Sequence, residues 1–101
     1  MAPRLELDQI LRDILRLPNV YFQPPENIRM DYPAIIYQRD YATTQFADDH
    51  PWRATKRYMI TVIDKNPDSP IPDKVAELPM CTFSRHFTAD NLNHDSYTMY
   101  F

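Results

Sequence analysis

The chain has no glycine in 101 residues and ten prolines, which bars it from most of the backbone devices that active sites are built on. Average usage would place about seven glycines in such a length. A phosphate-cradling loop needs glycine so that backbone N–H groups can close on the anion. A G-x-S-x-G elbow needs it to relieve a strained turn, and a dinucleotide-binding turn needs it for close approach to pyrophosphate. The sequence therefore excludes most nucleotide-binding and hydrolase architectures. Turn positions with positive φ are expected to fall to asparagine and aspartate, with Asn66, Asn91 and Asn93 foremost. The prolines stiffen the connections and leave the unfolded chain less entropy to lose.

Length implies one domain over residues 1–101. Hydrophobic residues at 44% and charged residues at 25% are ordinary for a globular chain, so wholesale disorder is not expected. Seven tyrosines are many for this size, and tyrosine serves interfaces as readily as cores. A net charge of −3 opposes a nucleic-acid-binding role, which rests on lysine and arginine neutralising phosphates. No apolar run reaches the roughly 20 residues of a membrane span, so no membrane partner is expected. The opening Met1-Ala-Pro-Arg-Leu-Glu has no signal-like apolar stretch, and the lone Cys81 cannot form an internal disulfide. Both fit synthesis in cytoplasm and a fold without covalent staples.

Leu7, Ile10, Leu11 and Ile14 recur at helical spacing, with Asp8, Arg12, Asp13 and Arg16 off the stripe. Pro3 suits the first turn and Pro18 ends the helix. Val20-Tyr-Phe22 reads as a short strand, followed by an extended connection from Pro24 to Pro33. Residues 34–39 (AIIYQR) and 57–64 (RYMITVID) read as strands, the second apolar on both faces and so central and covered on two sides. Between them Asp40 to Lys56 reads as a long polar loop with an acidic tip at Asp48-Asp49-His50-Pro51-Trp52. A short helix over Lys74–Leu78, capped by Ser69 or Asp73, precedes a hairpin turning at Asp90–His94. In that hairpin Cys81, Phe83 and Phe87 are expected on one face, and Tyr97, Met99 and Phe101 together on the return strand. The expected fold is α/β of the α+β kind. It has a mixed, mainly antiparallel sheet of four to five strands, with the N-terminal helix and the second short helix packed on one face.

Little in the chain carries chemistry. His86 and His94 flank a turn with Asp90 and Asp95, but metal-ligand spacing is missing. Asp48, Asp49 and His50 are consecutive on one tip and do not converge on a point. Cys81 is expected to be an inert core thiol beside Phe83. No catalytic residue, metal or cofactor is expected, and the chain does not read as an enzyme.

The run Thr61-Val-Ile-Asp-Lys-Asn-Pro-Asp-Ser-Pro-Ile-Pro-Asp-Lys-Val-Ala-Glu-Leu78 carries a more specific texture. It continues in Cys81-Thr-Phe-Ser-Arg-His-Phe-Thr-Ala-Asp-Asn-Leu-Asn-His-Asp95 and Tyr97-Thr-Met-Tyr-Phe101. Together with Tyr21-Phe-Gln-Pro-Pro and Tyr32-Pro-Ala-Ile-Ile-Tyr, it resembles the tail terminator, or tail-to-head joining, proteins of long-tailed phages and prophages, also known as tail completion or minor capsid proteins. That resemblance implies a small subunit of a hexameric ring in the virion, at the head–tail junction of a siphophage. Such a ring caps the tail tube protein, ends its polymerisation and joins the head–tail connector (stopper) protein, with DNA passing through the lumen. Six copies of a −3 chain would carry about −18, which repels phosphate and lets DNA slide.

Ring closure by a rotational axis needs one heterologous contact repeated around the ring. Candidates lie in the 40–56 loop, at Tyr41, Phe46, Asp48, Asp49 and Trp52, with Phe46 and Trp52 as anchors. Tyr100 and Phe101 are a second set, on a terminal strand expected at a sheet edge, where another chain can pair. Two alternatives stand beside this reading: another neck component, such as a stopper or head-completion ring, and a monomeric soluble binding domain with no phage role.

Overall fold

The computed structural model describes residues 4–24, 30–47 and 50–101, with 40–47 and 50–55 described as backbone only. Its elements run α1 (Arg4–Leu15), β1 (Val20–Phe22), β2 (Ala34–Ala47), β3 (His50–Asp64), α2 (Ile71–Ala76), β4 (Cys81–Ala89) and β5 (Leu92–Tyr100). The five strands form one mixed sheet in the order β1-β2-β3-β5-β4. Only β1 and β2 are parallel, and every other neighbouring pair is antiparallel. This is the α+β architecture expected, with five strands.

Period-two alternation sorts the sheet into two faces. Ile35, Tyr37, Tyr58, Ile60, Val62, Tyr97 and Met99 share the face that both helices cover, and there they meet Leu7, Leu11 and Leu15 of α1 and Val75 of α2. The helical stripe is therefore centred on Leu7, Leu11 and Leu15, while Ile10 and Ile14 are only partly buried. β3 is central as its sequence implied, but both helices lie on one side of it. On the other face Met59 and Thr61 are half-buried with no helix above them among the described residues, and the Thr61 hydroxyl meets that of Ser96 at 3.2 Å.

A polar group fixes α1 on the sheet. Tyr37, fully buried on β2, donates its hydroxyl to Asp8, which also accepts from Arg12 Nε. Arg4 donates to the same tyrosine oxygen at 2.9 Å and lies 4.3 Å above the Phe22 ring. Arg12 reaches on to the carbonyls of Pro18 and Val20, so one side chain ties the helix to the chain that leaves it. Partial burial pushes the Asp8 carboxyl up, but the donors from Tyr37 and Arg12, with Arg4 beyond, hold it below the ordinary carboxylate range. Burial and then the Asp8 carboxylate push the Tyr37 phenol up to about 12, against the pull of Arg4. Tyr97, whose hydroxyl donates to the Pro72 carbonyl at 3.0 Å, is likewise pushed up to about 12 by burial, with Asp95 and Asp73 adding to it.

Four further sequence readings need correction here. Asp40 to Lys56 is not a loop: its ends at least are paired, Tyr41 with Arg57, Ala42 with Lys56 and so on to Ala47 with His50, extending β2 and β3 into a long hairpin. Its threonines and aromatics are strand formers, and they outweigh the polar composition. The second helix begins at Ile71 and not at Lys74; Ser69 serves it by accepting the Ile71 amide at 3.3 Å. Ser84 is unpaired in a bulge between Phe83 and Arg85, so the alternation of β4 inverts there. Phe87 accordingly shares a face with Arg85 and stacks on His94 with centroids 4.5 Å apart, away from Phe83.

The fourth correction concerns the turns. Asp90 and Asn91 both have positive φ (54° and 62°) and close a two-residue hairpin of the mirror-image kind that matches sheet twist. Asn66 and Asn93 do not take that role. Asn66 instead forms a local turn in which its side chain accepts the Asp68 amide at 3.0 Å. Among the described residues, left-handed positions also fall to Arg16 (61°), Gln23 (45°) and Met80 (59°). Arg16 caps the C-terminus of α1 where glycine commonly stands, its amide bonded to the Arg12 carbonyl at 2.8 Å.

Two expectations follow. Met80 is 65% exposed, so Met80→Gly removes backbone strain with little packing loss and should stabilise the fold by about 0.5–1 kcal/mol in urea denaturation; a destabilised variant would contradict the strain argument. Tyr37 and Tyr97 have folded values above the ordinary 10.0, so the stability they add is complete below pH 10 and lost as pH rises toward 12. Asp8 has the opposite sign, its contribution being lost as pH falls through its depressed value. In an alkaline titration followed by tyrosinate absorbance, Tyr37 and Tyr97 should ionise only as the fold is lost; ionisation of these two near 10 with the fold intact would refute their burial.

Candidate functional site

The sheet does not end where its core ends. β1 accompanies β2 only from Ile35 to Tyr37, and β5 accompanies β3 only as far as Arg57, opposite Tyr100. One further bond runs from the Phe101 amide to the Lys56 carbonyl at 3.0 Å. Beyond those points the β2–β3 hairpin continues as a two-stranded arm whose outer backbone edges have no strand partner among the described residues. Bulges at Asp40 on one strand and Trp52 on the other interrupt its register.

The sequence candidates divide accordingly. Tyr41 and Phe46 lie on the β2 side of the arm, and Trp52 on the β3 side at the second bulge; their side chains are outside the described residues. Asp48 and Asp49 also lie outside the described residues. Tyr100 and Phe101 are far from the arm tip in register, at its root. Tyr100 is 36% exposed, whereas Phe101 is half-buried and packs against the core. The strand that carries them is no edge: β5 lies between β3 and β4. A strand with neighbours on both sides has spent its backbone groups, so pairing of this strand with another chain is ruled out as the mode of contact.

The edge that sequence reasoning missed is β4. Among the described residues it pairs only with β5, and most of its side chains are exposed. Phe83 is 54% exposed while meeting the Tyr97 ring edge-on at 5.6 Å, and Met80 stands exposed just before the strand. A cleft of about 550 Å³ lies between β4 and α2, with Asp68, Asp73, Phe83, His86 and Asp95 among its lining. In it His86 Nδ1 meets Asp95 Oδ1 at 2.8 Å. His86 and His94 stand on opposite faces of the hairpin, paired with Asp95 and Phe87 respectively, so they cannot share an ion. Among the described residues no group of three His, Cys, Asp or Glu side chains could hold a metal. Burial pushes the half-buried Cys81 thiol up, which disfavours the thiolate a nucleophile requires. Among the described residues no helix is long and apolar enough to cross a membrane.

No protein-family model matches this chain. No curated protein sequence matches it either.

The division between Tyr100 and Phe101 is testable. Phe101→Ala should cost about 1–3 kcal/mol in chemical denaturation because it opens part of the core, whereas Tyr100→Ala should stay within about 0.5 kcal/mol. Equal effects would show that the two residues are not partitioned between core and surface.

Proposed function

We propose that the chain is a structural subunit of a phage tail: a tail terminator that closes into a ring on the last layer of the tail tube, ends its growth and joins the tail to the head connector. The reading rests on the sequence resemblance. The observation in the fold that supports it best is the arm, a long hairpin that extends beyond the rest of the sheet with backbone edges that have no strand partner among the described residues. A heterologous contact of that kind, repeated by rotation, closes a ring, with six subunits expected from the resemblance. The role is steric: the ring offers the tube a docking surface like that of a tube layer and offers the connector a different one. Its net negative charge suits a lumen through which DNA passes without sequence-specific binding. No catalytic step, metal or cofactor enters this account. The ring would be made in the host cytoplasm and reside in the virion.

A stopper ring of the same neck remains the second reading, since it needs the same heterologous contact. The two differ in which partner seeds assembly. Purified chain added to polymerising tube protein should halt growth at a fixed length and remain on the tube end, with a solution mass for the free ring near six subunits. Trp52→Ala should weaken assembly while leaving the monomer folded by circular dichroism. Unchecked tube growth in the presence of folded chain would overturn the terminator role, and binding to connector alone would select the stopper.

A further inference from the structure

The ring contact can be placed more closely, on the assumption that the chain does form a ring. We propose that neighbouring copies join by sheet extension, with the β2 side of one copy's arm adding as an antiparallel strand to the β4 edge of the next. A heterologous contact needs two different surfaces on one chain, and the described sheet offers few long free edges. β3 and β5 have strand partners on both sides over the core, and β1 is three residues long. What remains is β4 and the two outer edges of the arm.

The sequence of the arm separates its two sides. Exposed edges that must stay unpaired are protected by proline and by charge, lysine above all. The β3 side carries Pro51, Arg53 and Lys56, which is such protection. The β2 side, from Tyr41 to Ala47, reads YATTQFA and carries neither charge nor proline. β4 reads CTFSRHFTA, again without lysine or proline and with one arginine, whose guanidinium lies 4.5 Å above the Phe87 ring. Two long edges in one small domain thus lack the usual protection, and they are on different parts of the chain.

Register and direction agree with this assignment. The bulges at Asp40 and Trp52 leave Tyr41–Gln45 as a regular stretch, and the bulge at Ser84 leaves Arg85–Ala89, so each edge offers five consecutive regular residues. Through the strand order, β2 and β5 run one way and β3 and β4 the other. Copies that keep roughly the same sense around a ring would therefore bring β2 to β4 antiparallel, the stronger pairing. The seam would join the sheets of all copies through backbone hydrogen bonds, with Met80 and Phe83 left to cover the adjoining apolar surface.

Single cysteines test the seam directly, in a Cys81→Ala background. Ala42→Cys and Thr44→Cys sample the arm, and His86→Cys and Thr88→Cys sample β4; the four mixed pairings cover the central antiparallel register and its two-residue slips. Under mild oxidation an arm variant mixed with a β4 variant should give a disulfide dimer, and a chain carrying both should give a ladder of covalent oligomers. A control pair on the protected side, Ala54→Cys with Thr88→Cys, should give little. An intact ring with no arm-to-β4 cross-link in any register would overturn the seam and leave the ring standing. A folded chain that remains monomeric and gives no cross-link at its highest soluble concentration would overturn the seam and count against a self-assembling ring.

Discussion

The pairing of β2 with β3 is the interaction on which the rest of the structure hangs. Over its inner half, from Ala34–Ile63 to Arg39–Tyr58, it supplies the middle of the sheet. β1 is added on one side and β5 on the other, and the helices close over the buried face. Over its outer half the same ladder continues without those supports and becomes the arm. One hairpin therefore links a packed core to two backbone edges with no strand partner among the described residues. Antiparallel pairing makes this possible, because each further residue pair adds hydrogen bonds without requiring a new element.

What holds the inner half in place is partly polar. Tyr37 sits at the centre of the core and could not be buried there with an unpaired hydroxyl at tolerable cost. Asp8 accepts from it, and Arg4 and Arg12 flank the carboxylate, so the helix is fixed in rotation as well as in distance. No buried side-chain nitrogen or oxygen among the described residues lacks a partner. The turns show the complementary constraint. Without glycine, left-handed positions among the described residues fall on Arg16, Gln23 and Met80 as well as on Asp90 and Asn91, which places strain at three connections.

Much of the fold was legible in the sequence where local pattern and final environment coincide. The Leu7–Leu11 stripe, the Val20–Phe22 strand and the alternation of Tyr58, Ile60 and Val62 are of that kind. The arm was misread because Asp40, Asp48, Asp49 and Pro51 dominate its composition, although Tyr41, Thr43, Thr44 and Phe46 are strand formers. The face of Phe87 was not readable, since the bulge at Ser84 that inverts the alternation shows only in the pairing with β5. Strand order was hidden for the same reason: a C-terminal strand can end a sheet or insert into it, and Tyr97 and Met99 pack equally well in either place. The expected edge position of Tyr100 and Phe101 inherited that error, since β4 and not β5 lies at the edge of the sheet. Asp8 lay one position off the apolar stripe, and only its distance to Tyr37, 29 residues away, gives it a role.

The absence of glycine now has a structural meaning. It removes the loops that bind phosphate, and it leaves a domain whose connections are short or proline-rich and whose unsatisfied groups lie on strand edges. The role proposed for such a domain is assembly. Electron microscopy of tails built with this chain tests that claim most directly. The account predicts a closed ring of it, one layer thick, between the last tube layer and the connector. Tails whose tube meets the connector with no density for this chain would contradict it.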